Sequence, residues 1–376
     1  MKDRAQQAFE AVEPELIAIN RWLYENPETA FEEINSSKRL VDFLGSNGFE
    51  VEYPAYGLDT AFAARVGATG PEIIICAEYD ALPEVGHACG HNIIATAALG
   101  AGVAVRDLVD DLGLRVTVLG TPAEEAYGGK IDLINAGAFS GAAAAMMIHP
   151  AKHDVLDMSV LAVAHVDVEF HGHEAHASAY PQLGRNALDA AVQAYNNVSM
   201  LRQALYARDR VHGTITYGGG APNVIPAFTS MSWYIRADSD ERLAELRPKV
   251  MACFEAAALA TGCRLEVTER GHTYGALYDN PLLLELFGKN SEALGRPMGR
   301  GTELPIEETG STDMGNVSSV VPSMHPFLDI HTGGPGNHEK EFAAHTVTAD
   351  GERAIRDGAL GMAWTIIDLA GRTAEL

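Results

Sequence analysis

The stretch Glu72–Leu108, "EIIICAEYDALPEVGHACGHNIIATAALGAGVAVRDL", decides how this chain folds. Its first part, "EIIICAEYD", is a short, continuous apolar run ended by acids, the pattern of a strand buried on both faces. Its last part, "IIATAALGAGVAVRDL", is longer, rich in alanine, without proline and uncharged as far as Arg106, and reads as a helix. A buried strand feeding a helix is the repeating unit of a mostly parallel sheet. The link between them carries His87, Cys89 and His91 at every second position. Side chains two apart point the same way in an extended chain, so imidazole, thiol and imidazole are offered to one point.

Outward from this stretch the same alternation continues between Ser36 and Ile148. "SSKRLVDFLGSNGFEV" is a helix stopped by glycine, "LRVTVLGT" a strand, "KIDLINAGAF" a helix and "AAAAMMIHP" a strand. The expected fold is α/β, a mostly parallel sheet with helices on both faces. After His149 the character changes. In "AHVDVEFHG" Val166, Val168 and Phe170 fall on one face and His165, Asp167 and Glu169 on the other, as in a sheet with one wet side. A helix ("NALDAAVQAYNNVSMLRQAL"), two alternating strands ("VHGTITYGG", "AFTSMSWYIRA"), a second helix ("ERLAELRPKVMACFEAAALATG") and a strand ("CRLEVTER") follow. That β-α-β-β-α-β order is ferredoxin-like. It places an inserted α+β domain at 162–272, with 1–161 and 273–376 forming the first domain.

Composition narrows the function classes. A chain of 376 residues, 47% hydrophobic and 21% charged, has enough apolar material for two cores. Its formal net charge of -24 makes nucleic acid and anionic membrane surfaces poor partners. The start "MKDRAQQAFEAVEPELIAIN" lacks the apolar run of a signal peptide, and "NIIATAALGAGVAV" is shorter than the ~20 residues that span a bilayer. A cytoplasmic location is expected. Cys76, Cys89, Cys253 and Cys263 form no C-x-x-C pair, and only Cys89 has polar, glycine-rich surroundings.

Three of the apolar strands end in residues that bind metals. "IIICAEYD" leads into Asp80, His87, Cys89 and His91; "VTVLGTPAEE" ends in Glu124 and Glu125; "AAMMIHP" ends in His149. Carboxyl ends of parallel strands line one edge of a sheet, where ligand sites form. One histidine or glutamate at a strand end is an ordinary boundary residue, but three such endings together supply the imidazole, thiolate and carboxylate set of a divalent-metal site. Paired spacings of a closed structural site are absent, which favours a catalytic one. Of two adjacent glutamates, one can bind metal while the other handles a proton.

Taken in order, "AEYDALP", "GHACGHN", "GTPAEE", "YGGK", "MMIHP", "HEAHASAYPQLGRNALDAA", "GGAPNVIP" and "GSTDMGNVS" closely resemble the metal-dependent aminoacylase and carboxypeptidase family. The branch it most resembles is that of aminobenzoyl-glutamate hydrolases, auxin-conjugate amidohydrolases and the β-alanyl-lysine type of dipeptidase. The resemblance covers nearly the whole chain. It implies Cys89, His91, Glu125 and His149 as metal ligands, Glu124 as general base and Asp80 as the acid that orients the site. "GGPGNHEKEF" resembles the segment that supplies the last ligand, which implies His338, although His325 and His331 lie close by in "MHPFLDIH". Of His171, His173 and His176 in "HGHEAHA", the family pattern selects His176 to stabilise an oxyanion. Asn223 and Arg236 match positions that grip a substrate carboxylate. One departure is Tyr24 in "LYENPETAFEE", where relatives commonly have a histidine; Phe31, Glu32 and Glu33 still fit.

The implied activity is hydrolysis, by a metal-activated water, of an amide bond next to a free carboxylate, in an N-acyl or N-aroyl amino acid or a dipeptide. One or two divalent ions, zinc or manganese, and a homodimer formed through the inserted domain are implied with it. Two other readings compete with this one. A Cys89 nucleophile with His87 or His91 as base leaves the glutamate pair and His149 without a use. A non-catalytic, metal-containing binding protein has no need of both Glu124 and Glu125.

Overall fold

The computed structural model describes residues 1–305 and 309–376. The chain divides into two compact units, one made of Met1–Ser159 and most of the chain from Leu277 onward, the other of Val160–Ala276 with Thr309–Ser311.

The first unit is built on strands β1 (Glu50–Glu52), β2 (Phe62–Val66), β3 (Glu72–Ala77), β4 (Arg115–Gly120), β5 (Ala142–Met146) and β13 (Ser323–Met324), in the order β1-β2-β4-β3-β5-β13. β3 runs parallel to β4 and β5, and β5 parallel to β13, while β1 and β2 are antiparallel additions at one edge. The continuous apolar run of β3 is explained by the two cores it serves. Ile73 and Ile75 enter a cluster with Phe9, Leu99 and Leu360, whereas Ile74 and Cys76 enter one with Leu133, Phe139 and Val317. Period-two alternation therefore sends successive side chains of a single strand to opposite covered faces.

Helix α3 (His91–Arg106) is buried from His91 to Val105 and packs against α1 (Lys2–Glu25) and α11 (Ala349–Leu369). Its alanines and glycines let these neighbours approach closely. Shorter helices α2 (Ile34–Ser46), α4 (Val109–Leu112), α5 (Gly129–Asn135), α8 (Pro281–Ala293), α9 (Met314–Ser318) and α10 (Lys340–His345) complete the layers. Beyond β5, a short strand β6 (His149–Ala151) pairs in parallel with β14 (Phe327–Asp329), with His149 opposite Phe327.

In the second unit β7 (Ala162–His171), β9 (Arg210–Tyr217), β11 (Phe228–Ala237) and β12 (Arg264–Glu269) form an antiparallel sheet in the order β12-β7-β11-β9. Helices α6 (Ala187–Leu201) and α7 (Asp240–Thr261) cover one face. β7 and β11 alternate buried and part-exposed residues along their length, so Val166, Val168 and Phe170 join Trp233, Ile235 and Phe254 in a separate core. Asn186 caps α6 by accepting from Leu188 N and Asp189 N, and Ser239 caps α7 through Arg242 N. A two-stranded ribbon, β8 (Ala175–His176) with β10 (Val224–Ile225), stands apart from the sheet. Among the described residues no helix is long and apolar enough to cross a membrane.

Candidate metal centre

Several of the chemically active side chains of the first unit follow the end of a strand. β3 ends at Ala77 and hands the chain to Glu78 and Asp80; β4 ends at Gly120 and leads to Glu124 and Glu125; His149 opens β6 just past β5. The link "HACGH" is shaped at Gly90, whose φ of +82° starts helix α3 and whose Cα lies so close to Pro150 that a Cβ would meet Pro150 Cγ at 2.3 Å. Only glycine lets Cys89 and His91 flank that turn. At the carboxylate loop, Ala123 adopts φ of +61°, a conformation unusual for a residue with a side chain. Glu33 Oε1 accepts from the Ala123 N–H at 2.9 Å and Asp80 Oδ2 from the Glu125 N–H at 2.9 Å, so the Glu124–Glu125 backbone is pinned from both sides.

The expected ligands come together in two overlapping groups, Cys89–His91–His149 and Cys89–Glu125–His338, each with its donor atoms within 4.8 Å of one another. Cys89 Sγ is 3.6 Å from His149 Nε2, His91 Nε2 is 3.7 Å from Glu125 Oε1, and His338 Nε2 is 3.5 Å from Glu125 Oε2. Two donors on arms of ~2.0–2.3 Å at tetrahedral angles are separated by roughly 3.3–3.7 Å, so these spacings fit shared ions. The ring orientations agree. His91 Nδ1 lies 2.9 Å from Asp80 Oδ1, and His149 Nδ1 lies 2.8 Å from the Pro150 carbonyl oxygen, which leaves both Nε2 atoms aimed inward. Among the described residues, His91 Nε2 and Glu125 Oε1 are buried without a hydrogen-bond partner. Buried polar atoms are normally satisfied, and a cation satisfies both. The residues present therefore fit a divalent-metal centre.

His338 sits at the end of a loop with φ of +72°, its N–H donated to Ala88 O, while its neighbour Asn337 donates to the carbonyls of Cys89 and Pro150. His325 is instead buried against His149 and Phe327, and His331 is exposed beside Asp329. Among the described residues, neither belongs to a donor group. His87 is fully buried outside them as well.

Electrostatics follow from burial. Burial, then the Glu78 and Glu125 carboxylates, push Glu124 well above the usual carboxylate range. Burial opposes charge on His91, but Asp80 and Glu78 outweigh it and hold that ring well above its ordinary range. His149 is pushed down to about 4, chiefly by burial. The Cys89 thiol is raised by burial and by Glu125, so a reactive free thiolate is disfavoured and a metal is what would deprotonate it.

Beside the centre lies a buried cluster that sequence reasoning missed. Lys130 Nζ donates to Glu78 Oε1 and, at 2.7 Å, to Asp313 Oδ1, and all three side chains are essentially inaccessible. The residues stand in "AEYD", "YGGK" and "GSTDMGNVS", segments that carry the family resemblance without a role falling to these positions. The one signal in the sequence is a lysine in an otherwise apolar and glycine-rich segment.

In the second unit His176 lies on the β8–β10 ribbon, paired with Val224 next to Asn223. Its Nδ1 accepts from Ala179 N at 3.2 Å and Ser178 N at 3.4 Å, which places the proton on Nε2 and makes that atom a donor. Asn223 is exposed, and its carbonyl accepts from Ala177 N. Arg236, part-buried on β11, donates to Ser311 Oγ at 2.7 Å and lies over the Tyr234 ring.

Comparison with known proteins agrees with this architecture. Residues 162–261 match the family described as a peptidase dimerisation domain. Over 100% of this chain and 90% of its own length, a Mus musculus Xaa-Arg dipeptidase is 38% identical. A p-aminobenzoyl-glutamate hydrolase chain from Escherichia coli is 34% identical over 69% of this chain and 58% of its own. Among solved structures, a putative aminohydrolase from methicillin-resistant Staphylococcus aureus superposes with a TM-score of 0.83 at 20% identity, covering 98% of this chain and all of that one. A Bacillus subtilis protein described as a dinuclear metal binding peptidase from the M20 family gives 0.74 at 20% identity, covering 96% and 99%. A ligand set at the carboxyl edge of a parallel sheet, an inserted dimerisation domain and full-length identity of 38% lead to one conclusion: the chain belongs to the M20 peptidase family and is a metal-dependent amidohydrolase.

Proposed function

We propose that the protein cleaves the amide bond of dipeptides or N-acyl amino acids next to a free carboxylate, with a basic residue such as arginine as the preferred amine half. The observation that carries the hydrolytic part is the convergence of Cys89, His91, Glu125, His149 and His338 in two overlapping donor groups, with Glu124 Oε2 3.9 Å from His91 Nε2. The basic preference is supported by the net charge of -24 and by the name of the full-length relatives, Xaa-Arg dipeptidase. A divalent ion held by the five ligands, zinc or manganese, one or two per protomer, would supply Lewis-acid polarisation of the scissile carbonyl and of water. Glu124 takes the proton of the attacking water and returns it to the leaving nitrogen. Asp80 holds His91 with Nε2 toward the ligand site. The Nε2–H of His176 is the donor assigned to the oxyanion, and Asn223 and Arg236 are assigned to the substrate carboxylate.

The active species is proposed to be a homodimer formed through the inserted unit, whose α6 and α7 expose Val192, Met200 and Leu259. Four free cysteines, one of them a ligand thiol, suit a reducing cytoplasm. The test is turnover of a panel of Xaa-Arg, Xaa-Lys and β-alanyl dipeptides, N-acyl amino acids and aminobenzoyl-glutamate, before and after chelation and with zinc or manganese restored. Chelator-sensitive turnover confined to basic dipeptides is the expected result. Metal-dependent turnover of aminobenzoyl-glutamate alone would overturn the basic preference, and chelator-insensitive turnover would overturn the metal mechanism.

A further inference from the structure

The buried triad Glu78–Lys130–Asp313 has no part in the reaction as described, yet one of its atoms faces the centre. Lys130 occupies one oxygen of Glu78, and Asp313 fixes Lys130 twice, accepting from its Nζ at 2.7 Å and from its backbone N–H at 2.9 Å. Glu78 consequently has a single orientation, in which Oε2 lies 3.4 Å from His91 Nε2. Among the described residues both of these atoms are buried without a hydrogen-bond partner. Glu78, His91 and Glu124 form a further group of donors within 4.8 Å of one another. The pair with Lys130 does not require the second oxygen of Glu78 to be buried without a hydrogen bond, facing a ring nitrogen that also makes none, and such an arrangement is costly. A separation of 3.4 Å is instead the edge that two nitrogen or oxygen donors present on one ion.

We propose that Glu78 is a further metal ligand, sharing with His91 the ion that His91 binds, and that Lys130 and Asp313 are positioning residues that hold its second oxygen toward that ion. The proposal rests on the metal reading of the site but not on any substrate. It also accounts for a lysine with no accessible surface, since Lys130 offsets part of the negative charge that Glu78, Asp80, Glu124, Glu125 and Asp313 collect in one buried region.

The experiment is metal binding by the full-length protein, stripped by chelation and titrated with zinc against a chromophoric chelator, and with cobalt followed by its visible absorption. Glu78→Gln is expected to weaken binding of one equivalent by tenfold or more, by the scale on which metal sites lose affinity when a supporting group is removed, and to change the cobalt spectrum. Should Glu78→Gln fail to fold, Glu78→Asp keeps the charge that Lys130 needs while drawing the carboxylate back, and the same weakening is expected. Zinc affinity within about twofold of wild type and an unchanged cobalt spectrum in whichever variant folds would overturn the proposal, leaving the amidohydrolase reading intact if wild-type turnover remains metal-dependent. Glu78-dependent metal binding in a wild type that hydrolyses none of the panel would support the ligand assignment and count against the substrate reading alone.

Discussion

At the scale of single residues, the different tasks proposed for the neighbouring glutamates rest on how their backbone is held, not on a difference between their side chains. Glu125 is drawn toward His338 and Cys89, while Glu124 faces His91 across 3.9 Å. Replacing Glu124 with glutamine keeps shape and removes the proposed proton carrier. We expect Glu124→Gln to retain full metal content and lose roughly 10²–10⁴-fold in kcat, measured side by side by elemental analysis and steady-state assay. Comparable losses of metal and activity would reassign Glu124 to the ligand set. Glu33 lies beneath the same loop. Burial, then Asp80, push its carboxyl up to about 7. The folded protein therefore holds a proton that the unfolded chain releases near pH 4.5, so this contribution to stability is full below that pH and is lost as pH rises through about 7. In Glu33→Gln the amide can accept from Ala123 N–H and donate to Thr60 Oγ1, reproducing both contacts without the charge. The variant should gain on wild type by up to about 3 kcal/mol between pH 5 and pH 8 in urea denaturation. A difference independent of pH would show that Glu33 is not protonated in the folded state.

At the scale of elements, the turn from β3 into α3 governs the centre, because Cys89 and His91 are displayed by one glycine. Gly90→Ala sets a side chain at φ of +82° and drives its Cβ onto Pro150. The backbone strain alone is about 1–3 kcal/mol, and relief would separate the two ligands. Lower urea midpoint together with weakened zinc binding is the expected pair of results; reduced stability with unaltered zinc affinity would mean that the loop relaxes without moving the ligands. The same turn shows what is legible in the sequence. β3, α3 and β4 carry long or strongly apolar patterns, and the structure has them where those patterns place them. β1 and β2 have no such mark. They lie at the antiparallel edge, one only Glu50–Glu52 and the other the alanine-rich "FAARV", too short and too weakly patterned to stand out. Spacing cannot separate His325, His331 and His338, since loop geometry distinguishes them: positive φ at His331 and His338 turns the first toward solvent and the second toward Glu125. The Glu78–Lys130–Asp313 triad is still less accessible, because residues so far apart in the chain share no periodicity and meet only through the fold.

At the scale of the molecule, charge and core are unequally distributed between the two units. The first buries Glu78, Asp80, Glu124 and Asp313 around Lys130, with Glu125 nearly buried beside them, a negative excess that a bound cation relieves. The second has its own core of Val166, Phe170, Trp233 and Phe254, and none of the five proposed ligands lies in it. Metal should therefore stabilise the chain locally. At about a hundredfold excess of free metal over its Kd, binding contributes about 2.7 kcal/mol to the unit that holds it, equivalent to roughly 100-fold in the population of opened states. Hydrogen exchange followed by mass spectrometry on the full chain measures this element by element. On chelation, peptides covering β3, the start of α3 and the loop after β4 should exchange up to roughly 100-fold faster, whereas the central amides of β7 and β11 should keep their rates. The distinction has a physical basis in the hydrogen bonds at risk. Asp80 holds the Glu125 N–H, Glu33 the Ala123 N–H and His338 N–H the Ala88 carbonyl, all within the chain segments that carry ligands. β7 and β11 are paired with each other over ten residue pairs, none of which includes a proposed ligand. Uniform acceleration in both units would show instead that metal and inserted domain are one cooperative system, and the centre would then have to be understood as holding the whole chain together.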